Sequence, residues 1–289
     1  MSEAIEVGIV GGSGLYEMDG FEGARPLSVD TPFGPPSDAI VTGTLEGRRV
    51  GFLPRHARGH RLLPTEVNYR ANVYALKALG AHSILSVSAV GSLKEKYAPL
   101  HVVVPDQLVD RTTQRPATFF GRGLVAHVAF AHPFCEALRA VMAAACAEAG
   151  ATAHLGGTYV CIEGPQFSTR AESELYRSWG MDIVGMTNLQ EAKLAREAEI
   201  CYVTLAMVTD YDCWHPEHDS VTVEQVLANL GRNASTAQAV LRAAVRRLPA
   251  AERTCECAHA LRNSLVTASE LVPEAVKREL QPIVGKYMK

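Results

Sequence analysis

Cys201-Tyr202-Val203-Thr204-Leu205-Ala206-Met207-Val208 followed by Thr209-Asp210-Tyr211-Asp212 is the stretch on which the fold turns. An apolar, β-branched run of this length reads as a buried strand, and it stops at two carboxylates set two apart. Upstream, Asn188-x-x-Glu191 has the form of a helix-opening box. Thr158–Ile162 and Asp182–Val184 read as strands around a helix near Arg170–Trp179, and Phe134–Ala149 as an Ala-rich helix closed by Gly150. His82–Val87 and His101–Val104 are further strands, the second stopped by Pro105. Val67–Leu79 has helical spacing up to Gly80, Ala39–Thr44 and Arg49–Leu53 form a hairpin, and Glu6–Val10 runs into a glycine loop. Downstream, Thr222-x-x-Gln225 opens an amphipathic helix to about Arg247. Strand–helix alternation of this kind predicts an α/β fold with a mostly parallel or mixed sheet. One domain over 1–289 is expected, with a C-terminal extension over about 249–289.

Composition narrows the function classes. Of 289 residues 47% are apolar and 20% charged, enough for a sizeable core. The net charge of −3 argues against a nucleic-acid-coating or strongly membrane-attracted protein. No apolar run approaches the roughly 18 residues of a transmembrane helix. The first residues carry two Glu and no Lys or Arg before the apolar run, so no secretory signal is predicted. Seven Cys is an odd number in a chain that needs no staples, which predicts a reducing, cytoplasmic setting. Cys255-Glu256-Cys257 reads as free thiols, with a disulfide as the alternative. A metal there is not expected, because only His259 lies near in sequence.

Six segments carry residues suited to chemistry. Gly11-Gly12-Ser13-Gly14 follows a strand and offers converging N–H groups and a hydroxyl, as an anion cradle or as a plain tight turn. It lacks the Rossmann spacing, since no helix separates it from Asp30. Arg55-His56-Ala57-Arg58-Gly59-His60-Arg61 is densely cationic and suits phosphate oxygens or a solvated basic loop. Ser86 to Ser92 places hydroxyls and a Gly after an apolar strand, where α/β sheets bind ligands, although an ordinary loop fits as well. Glu163 to Thr169 presents Phe167 either to a ligand or to the core. Met186-Thr187-Asn188 sits at another strand end, where Asn188 is suited to capping. Asp210 and Asp212 close the apolar strand; burial and mutual repulsion would raise a carboxyl pKa there and suit a general acid, while a turn role is the plain alternative.

Together and in order, these segments resemble the methylthioadenosine phosphorylases of the purine nucleoside phosphorylase superfamily. The resemblance rests on GGSGL, DTPFGPPSDA, RHARGH, VNYRAN, GSL, DRTTQRP, IEGPQFSTRAES, EAKLAREAEICY and TDYDCW, and spans residues of about 5 to 245. It implies a single α/β domain with a mixed central β-sheet flanked by helices, usually as a homotrimer or a dimer of trimers. It implies reversible phosphorolysis of 5'-methylthioadenosine to adenine and 5-methylthioribose 1-phosphate in methionine salvage. Inorganic phosphate is then a co-substrate, with no metal and no organic cofactor, and with neither nucleic acid nor membrane as partner. The resemblance assigns phosphate binding to Ser13, Arg55, His56, Ser88, Ala89 and Thr187, with Ser at 13 and 88 where some relatives have Thr. It assigns the ribose contact to Met186, base stacking to Phe167, and the purine-facing, catalytic carboxylates to Asp210 and Asp212. Ser168 and Val223 match positions tied to substrate preference, Val226 and Leu227 an apolar methylthio pocket, and His127 a residue reaching that pocket from a neighbouring subunit. Two other readings stand beside this one. A 6-oxopurine nucleoside or methylthioinosine phosphorylase is disfavoured by an ionised Asp facing O6. A metal-dependent phosphohydrolase would use Asp210, Asp212, His215, His218 and Asp219.

Overall fold

A computed structural model describes residues 4–12, 18–216, 223–249 and 253–288. The strands are β1 (Val7–Gly11), β2 (Glu22–Leu27), β3 (Ile40–Leu45), β4 (Arg48–Pro54), β5 (Ser83–Ser92), β6 (Val102–Val104), β7 (Gln107–Arg111), β8 (Ala153–Leu155), β9 (Thr158–Ile162), β10 (Ile183–Gly185) and β11 (Cys201–Asp210). The helices are α1 (Tyr69–Ala78), α2 (Glu136–Glu148), α3 (Arg170–Ser178), α4 (Asn188–Glu197), α5 (Val223–Arg247), α6 (Glu274–Glu279) and α7 (Gln281–Val284). The strands join in one mixed sheet, ordered β2-β3-β4-β1-β5-β10-β9-β7, with β11, β6 and β8 branching from β5.

β5 is the node. One edge pairs parallel with β11 along nearly its whole length; the other pairs parallel with β1 at its start and antiparallel with β10 at Gly91 and Ser92. β4, β1, β5 and β11 therefore end on one side, and β10 returns towards them from the opposite direction. β11 follows β5 in register from Cys201–Ser83 to Val208–Val90, then slips so that Asp210 lies opposite Gly91. A bulge of this kind re-aims the side chain that follows it.

Both faces are covered. Val203, Leu205 and Met207 of β11 pack into a cluster with Leu138 and Met142 of α2 and Val240, Leu241 and Ala244 of α5. The opposite cluster joins Tyr202 and Ile84 to Val73 and Leu76 of α1 and to Ala192 and Ala195 of α4. Local sequence sets the helix ends. Asn68 accepts from Ala71 N at the start of α1, Thr169 and Glu172 form a reciprocal capping box on α3, and Gly80 and Gly150 take positive φ after α1 and α2.

The structure corrects several expectations. β2, β7 and β8 had no sequence signal: β2 is an exposed strand bearing Glu22, Arg25 and Pro26, and β8 has three residues. Charge and proline blunt such edges and erase the alternation by which strands are read. β5 runs on past Val87, because its polar end still finds β10 and β11 to pair with. The C-terminal segment packs into the domain, with Leu261, Val276, Leu280, Ile283 and Val284 buried in the cluster that contains α1. Asn188-x-x-Glu191 is not a capping pair. Thr187 holds the N-cap position of α4 with no side-chain cap bond. Asn188 instead turns inward and donates to Tyr202 OH at 2.6 Å and Thr204 Oγ1 at 2.5 Å.

Glu191 is buried as well and binds Arg55. The guanidinium donates through Nε to Glu191 Oε1, through Nη2 to Oε2 (3.1 Å) and Ser86 Oγ (2.7 Å), and through Nη1 to Val87 O (2.9 Å). Ser86 Oγ and Tyr202 OH each donate to Glu191 Oε2 at 2.8 Å. Burial by itself would lower the Arg55 pKa, but the Glu191 charge and hydrogen bond outweigh it, so Arg55 stays charged. Removing one member of such a pair strands the other charge, a loss of about 3–5 kcal/mol. Glu191→Gln should therefore lower the chemical-denaturation midpoint by that equivalent, and adding Arg55→Met should recover much of it. An unchanged midpoint in the single variant would show the pair to be dispensable.

Candidate active site

A cavity of about 570 Å³ opens beside the ends of these parallel strands, a size suited to a small organic ligand. One end is built for an anion. Gly12 follows β1, and Arg55 and His56 follow β4. Ser88 and Ala89 lie on β5, and Thr187 caps α4; all six line the cavity. The turn at 55–61 holds its shape through positive φ at Ala57, Gly59 and His60, and Arg61 N and Leu62 N both donate to His56 O. His56 Nδ1 sits 2.8 Å from Leu62 O, which can only accept, so Nδ1 carries the proton and Nε2 is left for a ligand. Burial, then the Arg55 charge, pushes the His56 pKa down to about 4. The ring is neutral near pH 7 and stacks on His60 at 4.4 Å between centroids. Ser88 Oγ makes only long contacts, 3.3 Å to Ala89 O and 3.4 Å to Tyr159 OH, so its hydroxyl can turn to a ligand.

The other end holds the two carboxylates. Asp210 Oδ2 accepts from Thr209 Oγ1 at 2.6 Å, and Oδ1 from Asp212 N at 2.8 Å. Burial raises the Asp210 pKa, and those two donors oppose it. Asp212 has φ +53° and is raised to about 6, by burial first and also by the Asp210 charge; the Ser173 and Ser168 hydroxyls pull it back. Its Oδ2 is buried with no geometrically sound hydrogen-bond partner, as are Ser168 Oγ and Ser173 Oγ. Asp212 and Ser168 line the cavity, where a ligand edge can meet them. Gly91 is required here: a Cβ would stand 2.8 Å from Asp210 Oδ1 and 3.1 Å from Val184.

Between the ends, Met186, Phe167 and Ser168 form one wall, and Val223, Val226 and Leu227 of α5 the other. Phe167, Val223 and Leu227 are 43%, 57% and 56% exposed, which places apolar surface at an open mouth and rules out Phe167 as a core plug. Buried Arg115 steadies the Phe167 wall, donating to Glu163 Oε1 at 2.9 Å and to the carbonyls of Glu163 and Met186.

Thirteen of the residues singled out in the sequence line this one cavity: Arg55, His56, Ser88, Ala89, Phe167, Ser168, Met186, Thr187, Asp210, Asp212, Val223, Val226 and Leu227. Ser13 and Thr222 lie outside the described residues. His127 is exposed and lines no part of the cavity. Among the described residues Asp210, Asp212 and His215 form no converging ligand set, and His218 and Asp219 lie outside them. Sequence reading missed Leu62, Leu63, Asn233, Ala234 and Ala237 as lining residues. The last three continue the helical spacing of Val223, Val226 and Leu227, a signal that was available.

A family model described as the phosphorylase superfamily matches residues 6–246. The S-methyl-5'-thioadenosine phosphorylase of Koribacter versatilis (strain Ellin345) is 60% identical, over 98% of this chain and 96% of its own length. A methylthioadenosine phosphorylase crystal structure from an Antarctic soil metagenomic library superposes with a TM-score of 0.92 at 49% identity, covering 98% of this chain and 99% of that one. A single-substitution variant of the Schistosoma mansoni adenosine/methylthioadenosine phosphorylase, solved with methylthioadenosine, gives 0.81 at 38% identity, covering 89% and 96%. The chain belongs to the phosphorylase superfamily and, within it, to the family of S-methyl-5'-thioadenosine phosphorylases.

The raised Asp212 pKa has a stability consequence. A carboxyl whose folded pKa lies above its unfolded value adds stability below the unfolded value and loses it as pH rises through about 6. Asp212→Asn should thus melt near the parent temperature at about pH 4 and above it at about pH 8. Melting curves at both pH values check this; an offset independent of pH would place the strain elsewhere.

Proposed function

We propose that this chain catalyses the reversible phosphorolysis of 5'-methylthioadenosine, giving adenine and 5-methylthioribose 1-phosphate. One observation carries the reading: a single cavity joins an anion-suited end, at Arg55, His56, Ser88 and Thr187, to two buried carboxylates, Asp210 and Asp212. Family membership and a relative solved with methylthioadenosine support it.

In this mechanism phosphate sits against His56, Ser88, Ala89 and Thr187, with Arg55 behind them supplying fixed positive charge. Glu191 holds Arg55 in place, so the field is set before substrate arrives. The ribose lies on Met186 and the purine on Phe167. As the C1'–N9 bond breaks, its electron pair passes to the purine and a phosphate oxygen bonds to C1'. A purine anion leaves poorly; a proton delivered to N7 removes that obstacle. Asp210, whose burial favours its protonated form, holds that proton and accepts from the 6-amino group, and Asp212 beside it helps to hold the charge balance. General-acid help of this kind contributes about 10²–10⁴-fold. The methylthio group rests against Val223, Val226 and Leu227, where a 5'-hydroxyl would lose hydrogen bonds with water.

Inorganic phosphate is the only co-substrate the reaction requires. The proposal includes a homotrimer in which His127, outside its own cavity, reaches the methylthio pocket of a neighbour. It also places the enzyme in cytoplasmic methionine salvage, since the thioether of the sugar product carries methionine-derived sulfur. Among the described residues no helix is long and apolar enough to cross a membrane.

Adenine release from methylthioadenosine should require inorganic phosphate; equal rates in phosphate-free buffer would make the enzyme a hydrolase instead. Asp210→Asn keeps the shape and loses the transferable proton. Its kcat for methylthioadenosine should fall by about 10²-fold or more. The loss on methylthioinosine should be smaller, because an amide can donate to O6. Both kcat/KM values, with a melting curve, decide the point: an unchanged substrate ratio would mean that another group reads the base.

A further inference from the structure

Four of the seven cysteines converge outside the cavity. The Sγ atoms of Cys135, Cys201, Cys255 and Cys257 all lie within 4.8 Å of one another. They come from three remote parts of the chain. Cys135 is the N-cap of α2, Cys201 is the first residue of β11, and Cys255 and Cys257 flank Glu256 in the C-terminal segment. The sheet fixes two of them, since Cys135 N donates to Tyr202 O at 2.9 Å and Cys201 N to His82 O at 3.0 Å. Sequence reading found no ligands for a metal beside Cys255 and Cys257; the other two are brought in only by the fold.

We propose that these four cysteines form a tetrathiolate site for one divalent cation of the zinc class. A tetrahedron with metal–sulfur distances of about 2.3 Å has sulfur–sulfur edges of roughly 3.8 Å. The cluster matches that span: its sulfurs share one neighbourhood of 4.8 Å, and Cys201 and Cys255 stand 3.3 Å apart. Two separate disulfides would not require all four sulfurs to approach one another. Soft thiolates in a four-sulfur set select zinc over magnesium or calcium. Binding replaces four S–H bonds by four metal–sulfur bonds and releases four protons, leaving a net charge of −2 on the site. The surroundings answer that charge. Arg253 Nη1 lies 3.8 Å from Cys201 Sγ, and Cys135 stands at the positive end of α2. Four protein ligands leave no open position, so the site is structural. It ties the segment beginning at Arg253 to the central strand and to α2, and none of its residues lines the catalytic cavity.

The test uses the full chain purified from zinc-supplemented cells under reducing conditions. Elemental mass spectrometry should find one zinc per chain, and denatured protein should release it as thiol reagent consumes seven thiols. Replacement by cobalt should give the intense absorption of a tetrahedral thiolate complex. Cys257→Ser should lose the zinc and lower the melting temperature by roughly 5–15 °C, while leaving KM for methylthioadenosine unchanged at low temperature. If that variant fails to fold, the cobalt spectrum of the parent chain still decides. Protein that carries no stoichiometric zinc and gives no thiolate spectrum with cobalt would overturn the proposal. So would a mass reduced by two hydrogens per disulfide at these cysteines, or iron in place of zinc.

Discussion

The buried ion pair between Arg55 and Glu191 is the interaction around which the molecule is organised. It joins the end of β4 to α4, and through Ser86, Val87 and Tyr202 it grips β5 and β11 as well. A guanidinium taken out of water needs a carboxylate and further acceptors within reach. That need fixes the separation of four elements at once. These elements supply most of the polar end of the cavity, so a stabilising contact and a field for an anion are the same object. The cost of a buried charge is tolerated because its partner is equally buried and every remaining donor direction but one is used.

The acid end depends on backbone rather than on charge pairing. The slip between Val208 and Asp210 turns one carboxyl inward, and the absence of a side chain at Gly91 leaves room for it. Asp212 then occupies the left-handed region, where Asp is better tolerated than most residues. Both carboxyls lie where water is scarce, so their protonated forms are favoured. Burying two carboxyls this close together costs stability, which suits a site that serves binding rather than stability.

How far this was legible beforehand differs from element to element. β11 and the helices announced themselves through unbroken apolar runs, helical spacing and glycine stops, and the residues that line the two ends of the cavity fell in short motifs that the fold gathers together. β2, β7 and β8 were silent because edge strands carry charge, proline or too few residues to show alternation. Asn188 and Glu191 were misread because a capping box and an inward-facing polar cluster use the same residue types at the same spacing; only the identity of the partners separates them. The cysteine cluster was invisible for a different reason. Its members are separated by as many as 122 positions, from Cys135 to Cys257, and nothing local marks Cys135 or Cys201 as anything but small core residues.

The placement of the C-terminal segment bears on how the protein is made. Leu261, Val276, Leu280, Ile283 and Val284 complete the core that α1 begins, Tyr74 OH donates to Glu279 O at 2.7 Å, and Tyr287 OH to Glu199 Oε1 at 2.6 Å. α1 and Glu199 are therefore synthesised well before the groups that bury them. This part of the sheet's face therefore stays uncovered until residues 261–284 have been made and have docked. Until then the apolar face of α1 is a surface for chaperones to shield.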